Sequence, residues 1–152
     1  MKLGLMTKDE CIDFIEFNTT GDNDNFNKCD PESWYLDSNI FNVFAGCFER
    51  SNYLFEFIGH TKYNSRKIVP LQNELKENLS KVWEISNVDE FKQFITGVFL
   101  GRDLLIDLAE ADPDYERNWI YYLRRMIVIN RDLIALIDRC IAEERILWVI
   151  GY

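Results

Sequence analysis

The amino-acid sequence predicts an all-α protein, a single domain over residues 1–152 built as a bundle of five or six helices. Three observations lead to this prediction. Apolar residues recur at steps of three and four along most of the chain, as in helices that bury one face. Glycine and proline are scarce, at 7 and 3 of 152 residues. No segment of six or more residues alternates convincingly between apolar and polar side chains, as a half-buried strand would.

The composition indicates a folded domain and excludes some functions. Hydrophobic residues make up 47% of the chain and aromatic residues 14%, which argues against intrinsic disorder. A domain of about 150 residues buries roughly 68–70% of its unfolded surface, enough for a substantial core. The formal net charge of −9 would repel phosphate backbones, so we expect no nucleic-acid partner.

The first helix is predicted over residues 8–18. Thr7 and Glu10 have the spacing of a capping box at its start. The polar stretch 18–30 that follows combines a glycine with many Asn and Asp residues, and only Phe26 could anchor it in a core. We therefore expect this stretch to be a loop.

The second helix is predicted over residues 31–58. Asp30 and Pro31 form the N-cap and N1 pair that often opens a helix. Apolar residues then follow at helical spacing, and Gly46 marks a point where the helix could kink. The stripe comprises Leu36, Ile40, Val43, Phe44, Cys47, Leu54, Phe55 and Ile58.

Two more helices are predicted in the middle of the chain. The third covers residues 70–85 and opens with Pro70, which suits a first helical turn. The fourth covers residues 88–111, and Asn87 and Glu90 have capping-box spacing at its start. Both segments carry apolar residues every three or four positions.

The fifth helix is predicted from Pro113 toward residue 147, with Asp112 as its N-cap and a possible division near residues 129–130. The tail, residues 146–152, is rich in β-branched and aromatic side chains. It could therefore form either a strand or a packed helix end.

Gly97 and Gly101 lie four positions apart within the fourth predicted helix. In a membrane this spacing would favour helix dimerisation. The charged residues around the two glycines exclude a membrane span, so we interpret them as a point where a neighbouring helix approaches closely.

The chain carries no sign of export or membrane insertion. Its N-terminus turns charged at residues 8–10, which leaves no apolar segment of the length that a secretion signal needs. The apolar run 146–150 is far too short to cross a bilayer. The cysteines lack metal-ligand spacing and are predicted to be free thiols, largely in the core. They are Cys11, Cys29, Cys47 and Cys140. These features predict a cytoplasmic protein.

One cluster of acids could bind a metal ion. Asp103, Asp107 and Glu110 share one helix face, and Glu74 and Glu77 share another. Together the two sets resemble the acidic motifs of the all-α nucleotide pyrophosphohydrolases of the MazG type. That resemblance implies a metal-dependent nucleotide hydrolase, although the second motif has Asp-x-x-x-Asp where the family has Glu-x-x-Asp. We favour solvated acidic faces, because a helical metal site needs matching carboxylates on facing helices, and predict no metal.

No catalytic arrangement is evident. His60 is the only histidine, and Glu56-x-x-x-His60 differs by one residue from the spacing of di-iron bundles. We expect His60 to lie at a helix C-terminus, where an imidazolium interacts with the helix dipole. The sequence therefore predicts a protein that is not an enzyme and has no cofactor.

Negative charge is concentrated near the N-terminus. Residues 1–37 contain nine acids and three bases, a net charge of −6, and the remaining 115 residues have a net charge of −3. Carboxylates beside exposed aromatic rings suit docking to a basic protein. Equally compatible is a solubilising acidic face with Trp34 and Tyr35 turned into the core. The predicted partner-binding residues are Asp22, Asp24, Asp30, Glu32, Trp34, Tyr35 and Asp37.

The acidic segment Asp22–Asp37 and the helical stripes after it resemble the immunity proteins of bacterial contact-dependent inhibition and related polymorphic toxin systems. The resemblance implies a protein that binds a cognate toxin domain, often a basic nuclease, and neutralises it without doing chemistry. Two alternatives remain: the metal-dependent hydrolase described above and a helical adaptor or regulatory domain.

Overall fold

The computed structural model describes residues 1–10 and 12–152. Within these residues five α-helices accompany a four-stranded antiparallel sheet, so the all-α prediction is wrong. The strands are β1 (Phe14–Asn18), β2 (Trp34–Asp37), β3 (Gly59–Tyr63) and β4 (Leu147–Gly151). The helices are α1 (Ser38–Ser51), α2 (Ile68–Trp83), α3 (Val88–Thr96), α4 (Gly101–Ala111) and α5 (Trp119–Ala142).

The sheet joins the two ends of the chain. Its strand order is β2-β1-β4-β3, and each neighbouring pair is antiparallel. In the centre, Ile15 of β1 lies opposite Leu36 of β2 on one side and Gly151 of β4 on the other. One face of the sheet packs on α1 and closes the hydrophobic core. The other face is covered by the loop between β1 and β2.

The predicted first helix over residues 8–18 is a strand preceded by a single 3₁₀ turn, Lys8–Glu10. Thr7 and Glu10 do interact, since the Thr7 N–H donates to the Glu10 carboxylate at 3.2 Å. Ile15 and Phe17 face the core, and Glu16 and Asn18 face the loop. Five residues are too few for apolar spacing to separate a helix from a strand.

The predicted second helix over residues 31–58 contains a strand, a shorter helix and a loop. Asp30 and Pro31 do not start a helix. Asp37 does, because its carboxylate accepts the Asn39 N–H at 3.0 Å and the Ile40 N–H at 3.3 Å. The predicted C-terminal end of the helix, residue 58, is wrong as well, since α1 ends at Ser51.

The helices predicted over residues 70–85 and 88–111 correspond to α2 and to the pair α3 and α4. The predicted N-cap of α3 is confirmed, since the Asn87 side chain accepts the Glu90 N–H at 2.9 Å. Leu100 has a left-handed backbone with φ of 56° and separates the two helices. Gly97 and Gly101 therefore flank a turn and are not one turn of a single helix.

The predicted fifth helix begins six residues late, at Trp119, and runs to Ala142 without a division near residue 129. Asp112 ends α4 and does not cap α5, because its carboxylate accepts hydrogen bonds from Asp114, Asn118 and Tyr122 across the intervening turns. The tail that could have been either a strand or a helix end forms β4.

A buried polar contact joins the two longest helices, α2 and α5. The Asn78 amide donates to the Asn130 side-chain oxygen at 2.7 Å, and the Asn130 amide donates to the Leu75 carbonyl at 2.8 Å. Asn130 is fully buried, so these bonds compensate for its lost hydration. They also fix how the two helices align.

None of the helices in the described ranges combines the length and the apolarity that crossing a membrane would require.

The structure ranks the described cysteines by their expected reactivity. Cys47 and Cys140 are buried free thiols, and burial raises their pKa to about 12 and about 11. Cys29 is a free thiol that is only half-buried. Cys11 lies outside the described residues.

Because the thiolate is the reactive form, we expect maleimide to label Cys29 much faster than Cys47 or Cys140 in the native protein. Peptide mapping by mass spectrometry measures each site separately, and rapid labelling of Cys47 would contradict the packing around α1.

Candidate protein-binding surface

The loop between β1 and β2, residues 19–33, lies across the outer face of the sheet. Its only large apolar side chain, Phe26, packs on Trp148 of β4 with ring centroids 4.6 Å apart and on His60 of β3 at 5.2 Å. The Trp148 indole N–H donates to the Asp22 carbonyl at 2.8 Å. The sheet therefore holds this 19–33 loop in place through both ring packing and hydrogen bonding.

A buried carboxylate anchors the far end of the 19–33 loop. Glu16 of β1 has 0% of its surface exposed. Its carboxylate accepts the Cys29 N–H at 2.8 Å, the Asp30 N–H at 3.0 Å and the Tyr152 hydroxyl. Burial raises the pKa of the Tyr152 phenol, and the bond to Glu16 raises it further, so the phenol keeps its proton and donates. Such charge-assisted bonds are stronger than neutral ones.

The backbone at this anchor is strained. Cys29 adopts a left-handed conformation with φ of 53°, which costs of order 1 kcal/mol for a residue other than glycine. That conformation accompanies the delivery of two consecutive backbone N–H groups to the Glu16 carboxylate. The carboxylate bonds offset the strain.

Asn18 holds the near end of the loop in the same way. It is fully buried at the end of β1, and its side-chain oxygen accepts the Gly21 N–H at 2.9 Å. Its amide donates to the Thr20 hydroxyl at 3.2 Å and to the Asn27 carbonyl at 3.3 Å. Both polar residues on the outer face of β1 thus bind the loop.

Aspartates shape the turns within the loop. The Asp22 carboxylate accepts the N–H groups of Asp24 at 2.8 Å and Asn25 at 2.7 Å. These backbone bonds lower the pKa of Asp22, the bond from Asp24 most of all. The Asp22 carboxylate therefore stays ionised at a lower pH than an ordinary aspartate. Asp30 accepts the Glu32 N–H and the Thr20 hydroxyl, each at 2.8 Å. Asp22 and Asp30 therefore order the loop as well as charging it.

An open, predominantly acidic cleft of about 510 Å³ lies between the loop and the connection from α5 to β4. Asp22 and Glu32 line it from the loop, and Glu144 lines it from the connection. Its only lining cation among the described residues is Arg145, which is paired with Glu143 at 2.5 Å. A cleft with these charges suits a cationic side chain of a partner.

The predicted binding residues divide between the two faces of the sheet. Asp22, Asp24 and Glu32 are exposed and Asp30 is half-buried, all on the loop. Asp37 is half-buried as the N-cap of α1. Tyr35, on the loop side, is fully buried and donates its hydroxyl to the Asp30 carbonyl at 2.6 Å.

Trp34 points to the opposite face of the sheet from Tyr35, because side chains alternate along a strand. It is 37% exposed and lines a small cleft against α5, beside Leu136 and Arg139. The tryptophan and the acidic loop therefore do not form one continuous surface.

The carboxylates of the hydrolase hypothesis are engaged separately. The Glu74 carboxylate accepts from the Arg50 guanidinium at 2.8 Å, and Asp107 accepts from the Asn39 amide at 2.5 Å. Across the described residues, no group of three or more histidine, cysteine or acidic side chains could hold a metal ion.

The expectation that His60 follows a helix is wrong, because it lies in β3. Its ring packs beside the contacting rings of Phe26 and Trp148, with centroids 5.2 and 5.8 Å away. The imidazole therefore contacts the loop through Phe26.

Sequence reasoning missed the residues that position the loop, namely Glu16, Asn18, Trp148 and Tyr152. The available signal was the alternation of apolar and polar residues over positions 15–18. Four residues of alternation, read as part of a helical stripe, did not stand out.

Comparisons of this chain with protein-family models, with curated proteins and with solved structures found no match.

Proposed function

We propose that this protein binds a basic protein domain through the anionic surface of the 19–33 loop, and that it acts as an immunity protein that neutralises a bacterial toxin in the cytoplasm. One observation carries the proposal: the loop is held on the sheet by hydrogen bonds while Asp22 and Glu32 line an acidic cleft and Asp24 is exposed on the same loop.

Preorganisation is the physical reason that this arrangement favours binding. A loop already ordered by Glu16, Asn18 and Phe26 loses little entropy when a partner docks. Ionised carboxylates on such a surface attract a basic partner from a distance and exclude an acidic one. A nuclease that grips phosphates offers the complementary cationic groove.

The proposal predicts that the cognate toxin is encoded immediately upstream of this chain, and the test titrates the C-terminal domain of that toxin calorimetrically against this protein. Replacing both Asp24 and Glu32 by Lys should weaken binding by roughly tenfold or more and reduce its dependence on salt. The same variant should lose protection when the two proteins are expressed together in growing cells.

The matched control replaces Asp103 and Glu110 of α4 by Lys, which changes the net charge by the same amount. Both residues are exposed, and α4 belongs to the helical layer on the opposite face of the sheet from the loop. We expect this control to bind as the native protein does. Equal weakening by the two variants, or affinity that does not change with salt, would refute docking at the loop.

A further inference from the structure

The sheet has one covered edge and one open edge. At the covered edge, Met6 and Tyr35 exchange two backbone hydrogen bonds, of 2.7 and 3.0 Å, on the outer side of β2. At the other edge, β3 pairs with β4 on one side only among the described residues. An unpaired strand edge is a template for a further strand.

The register determines which backbone groups of β3 face outward. Backbone groups alternate in direction along an antiparallel strand, so Tyr35, which bonds Met6, does not bond its β1 partner Glu16. Glu16 consequently bonds Ile150 in β4. The backbone N–H and C=O of Ile150 point toward Glu16, so they cannot bond to His60, the partner of Ile150 in β3. The N–H and C=O of His60 therefore point away from β4.

Lys62 has the same orientation, two residues further along β3. The Asn52 amide donates to the outward carbonyl of Lys62 at 3.1 Å, which agrees with this assignment. Three outward groups lack a hydrogen-bond partner in the described part of the chain: the N–H and C=O of His60 and the N–H of Lys62. A neighbouring strand could satisfy all three.

A groove of about 370 Å³ runs beside these groups. Leu54 and Glu56 line it from the loop after α1, and Lys62 and Lys67 line it from β3 and the segment beyond. Leu54 is 62% exposed and the neighbouring Tyr53 is 83% exposed, with the Lys67 ammonium 4.8 Å from the Tyr53 ring centroid. The groove thus offers apolar and cationic contacts beside open backbone groups.

The lining of the groove has a small excess of positive charge, with Lys62 and Lys67 against Glu56, although the whole protein is acidic. Residues 57–73 contain Lys62, Arg66 and Lys67 and no Asp or Glu, in a chain of net charge −9. Among the residues that the structure describes, Glu56 is the single acid that lines the groove. An extended segment bearing carboxylates is therefore the electrostatically favoured occupant.

We propose that the open edge of β3 binds an extended, acidic segment of a partner protein, which adds to the sheet as a fifth strand. Its backbone pairs with His60 and Lys62, and its carboxylates lie near Lys62 and Lys67. This site adjoins the 19–33 loop, since the Lys62 ammonium donates to the Asn23 carbonyl at 2.9 Å and to the Asn23 side-chain oxygen at 3.0 Å. The proposal does not depend on the function proposed for that loop.

The test uses a capped, fluorescently labelled peptide of alternating Val and Asp, about seven residues long, a usual strand length. We expect saturable binding by anisotropy, and slower hydrogen exchange at the amides of His60 and Lys62 when the peptide is bound. A peptide with Lys in place of Asp should bind much more weakly. So should an acidic peptide whose backbone nitrogens are methylated on alternate residues, because it cannot pair with the edge.

Two variants at one position separate backbone pairing from charge. Lys62→Pro and Lys62→Ala both lose the ammonium group, but only proline loses the outward N–H. Neither variant removes a backbone hydrogen bond between β3 and β4, since edge strands tolerate proline where the N–H faces outward. We expect Lys62→Pro to bind the acidic peptide roughly tenfold more weakly than Lys62→Ala.

The proposal is overturned if the acidic peptide shows no saturable binding up to millimolar concentration, or if it leaves the His60 and Lys62 amides unprotected. Equal binding of the methylated peptide to the native protein would overturn it too, whether or not Lys62→Pro folds.

Discussion

Replacing Glu16 by Ala is expected to lower the free energy of unfolding by about 3 kcal/mol. The substitution removes a fully buried carboxylate that accepts two backbone N–H groups and the Tyr152 hydroxyl. A donor that loses its partner in a buried site costs its desolvation free energy, about 1–3 kcal/mol. Urea denaturation monitored by tryptophan fluorescence measures the loss.

The substitution should also release the 19–33 loop before the whole protein unfolds. Hydrogen exchange at Cys29 and Asp30 should accelerate in Glu16→Ala, while the amides of α2 keep their protection under native conditions. Glu32→Ala is the control, because Glu32 is exposed in the same loop, and we expect its stability to change by less than about 0.5 kcal/mol. Similar losses for the two variants would mean that the buried carboxylate does not anchor the loop.

Replacing Gly101 by Ala is expected to cost about 3 kcal/mol in the free energy of unfolding. A Cβ atom at this position would lie 1.8 Å from the Ile95 carbonyl oxygen. That atom belongs to the backbone of α3, so relief requires α3 and α4 to move apart. Thermal or urea unfolding measures the effect.

Gly97 supplies the matched control four residues earlier. Its Cβ would come no closer than 3.1 Å to a neighbouring atom, and its φ of −72° suits any residue. Gly97→Ala should therefore change stability by less than about 1 kcal/mol. If both glycines tolerate alanine equally, the turn between α3 and α4 is not packed as described.

The two longest helices could be predicted from the sequence because their determinants are local. Apolar residues repeat over four or more turns in α2 and α5, and the Asn87 side chain caps α3 through a residue only three positions away. A pattern sustained over many residues distinguishes a helical period from any other. For α2 and α5, the predicted bounds differ from the observed ones only at the ends of the helices.

The first three strands could not be predicted, and for β4 the sequence left a strand and a helix end open, because each strand is four or five residues long and its partner is distant. β1 pairs with β4 across almost the whole chain, and no local signal links Glu16 to Ile150. Asp30-Pro31 and Asp112-Pro113 look like helix starts locally, yet the chain uses Asp30 for a turn and Asp112 to end α4.

The sequence alone determined the charge of this protein and its concentration near the N-terminus, since charge follows from composition. It did not determine which of those acids a partner could reach. Glu16 is one of the nine acids of residues 1–37 but is buried beneath the loop, and Trp34 and Tyr35 are adjacent yet face opposite sides of the sheet. Strand pairing makes these assignments, because it sets the direction of every side chain only once distant segments have come together.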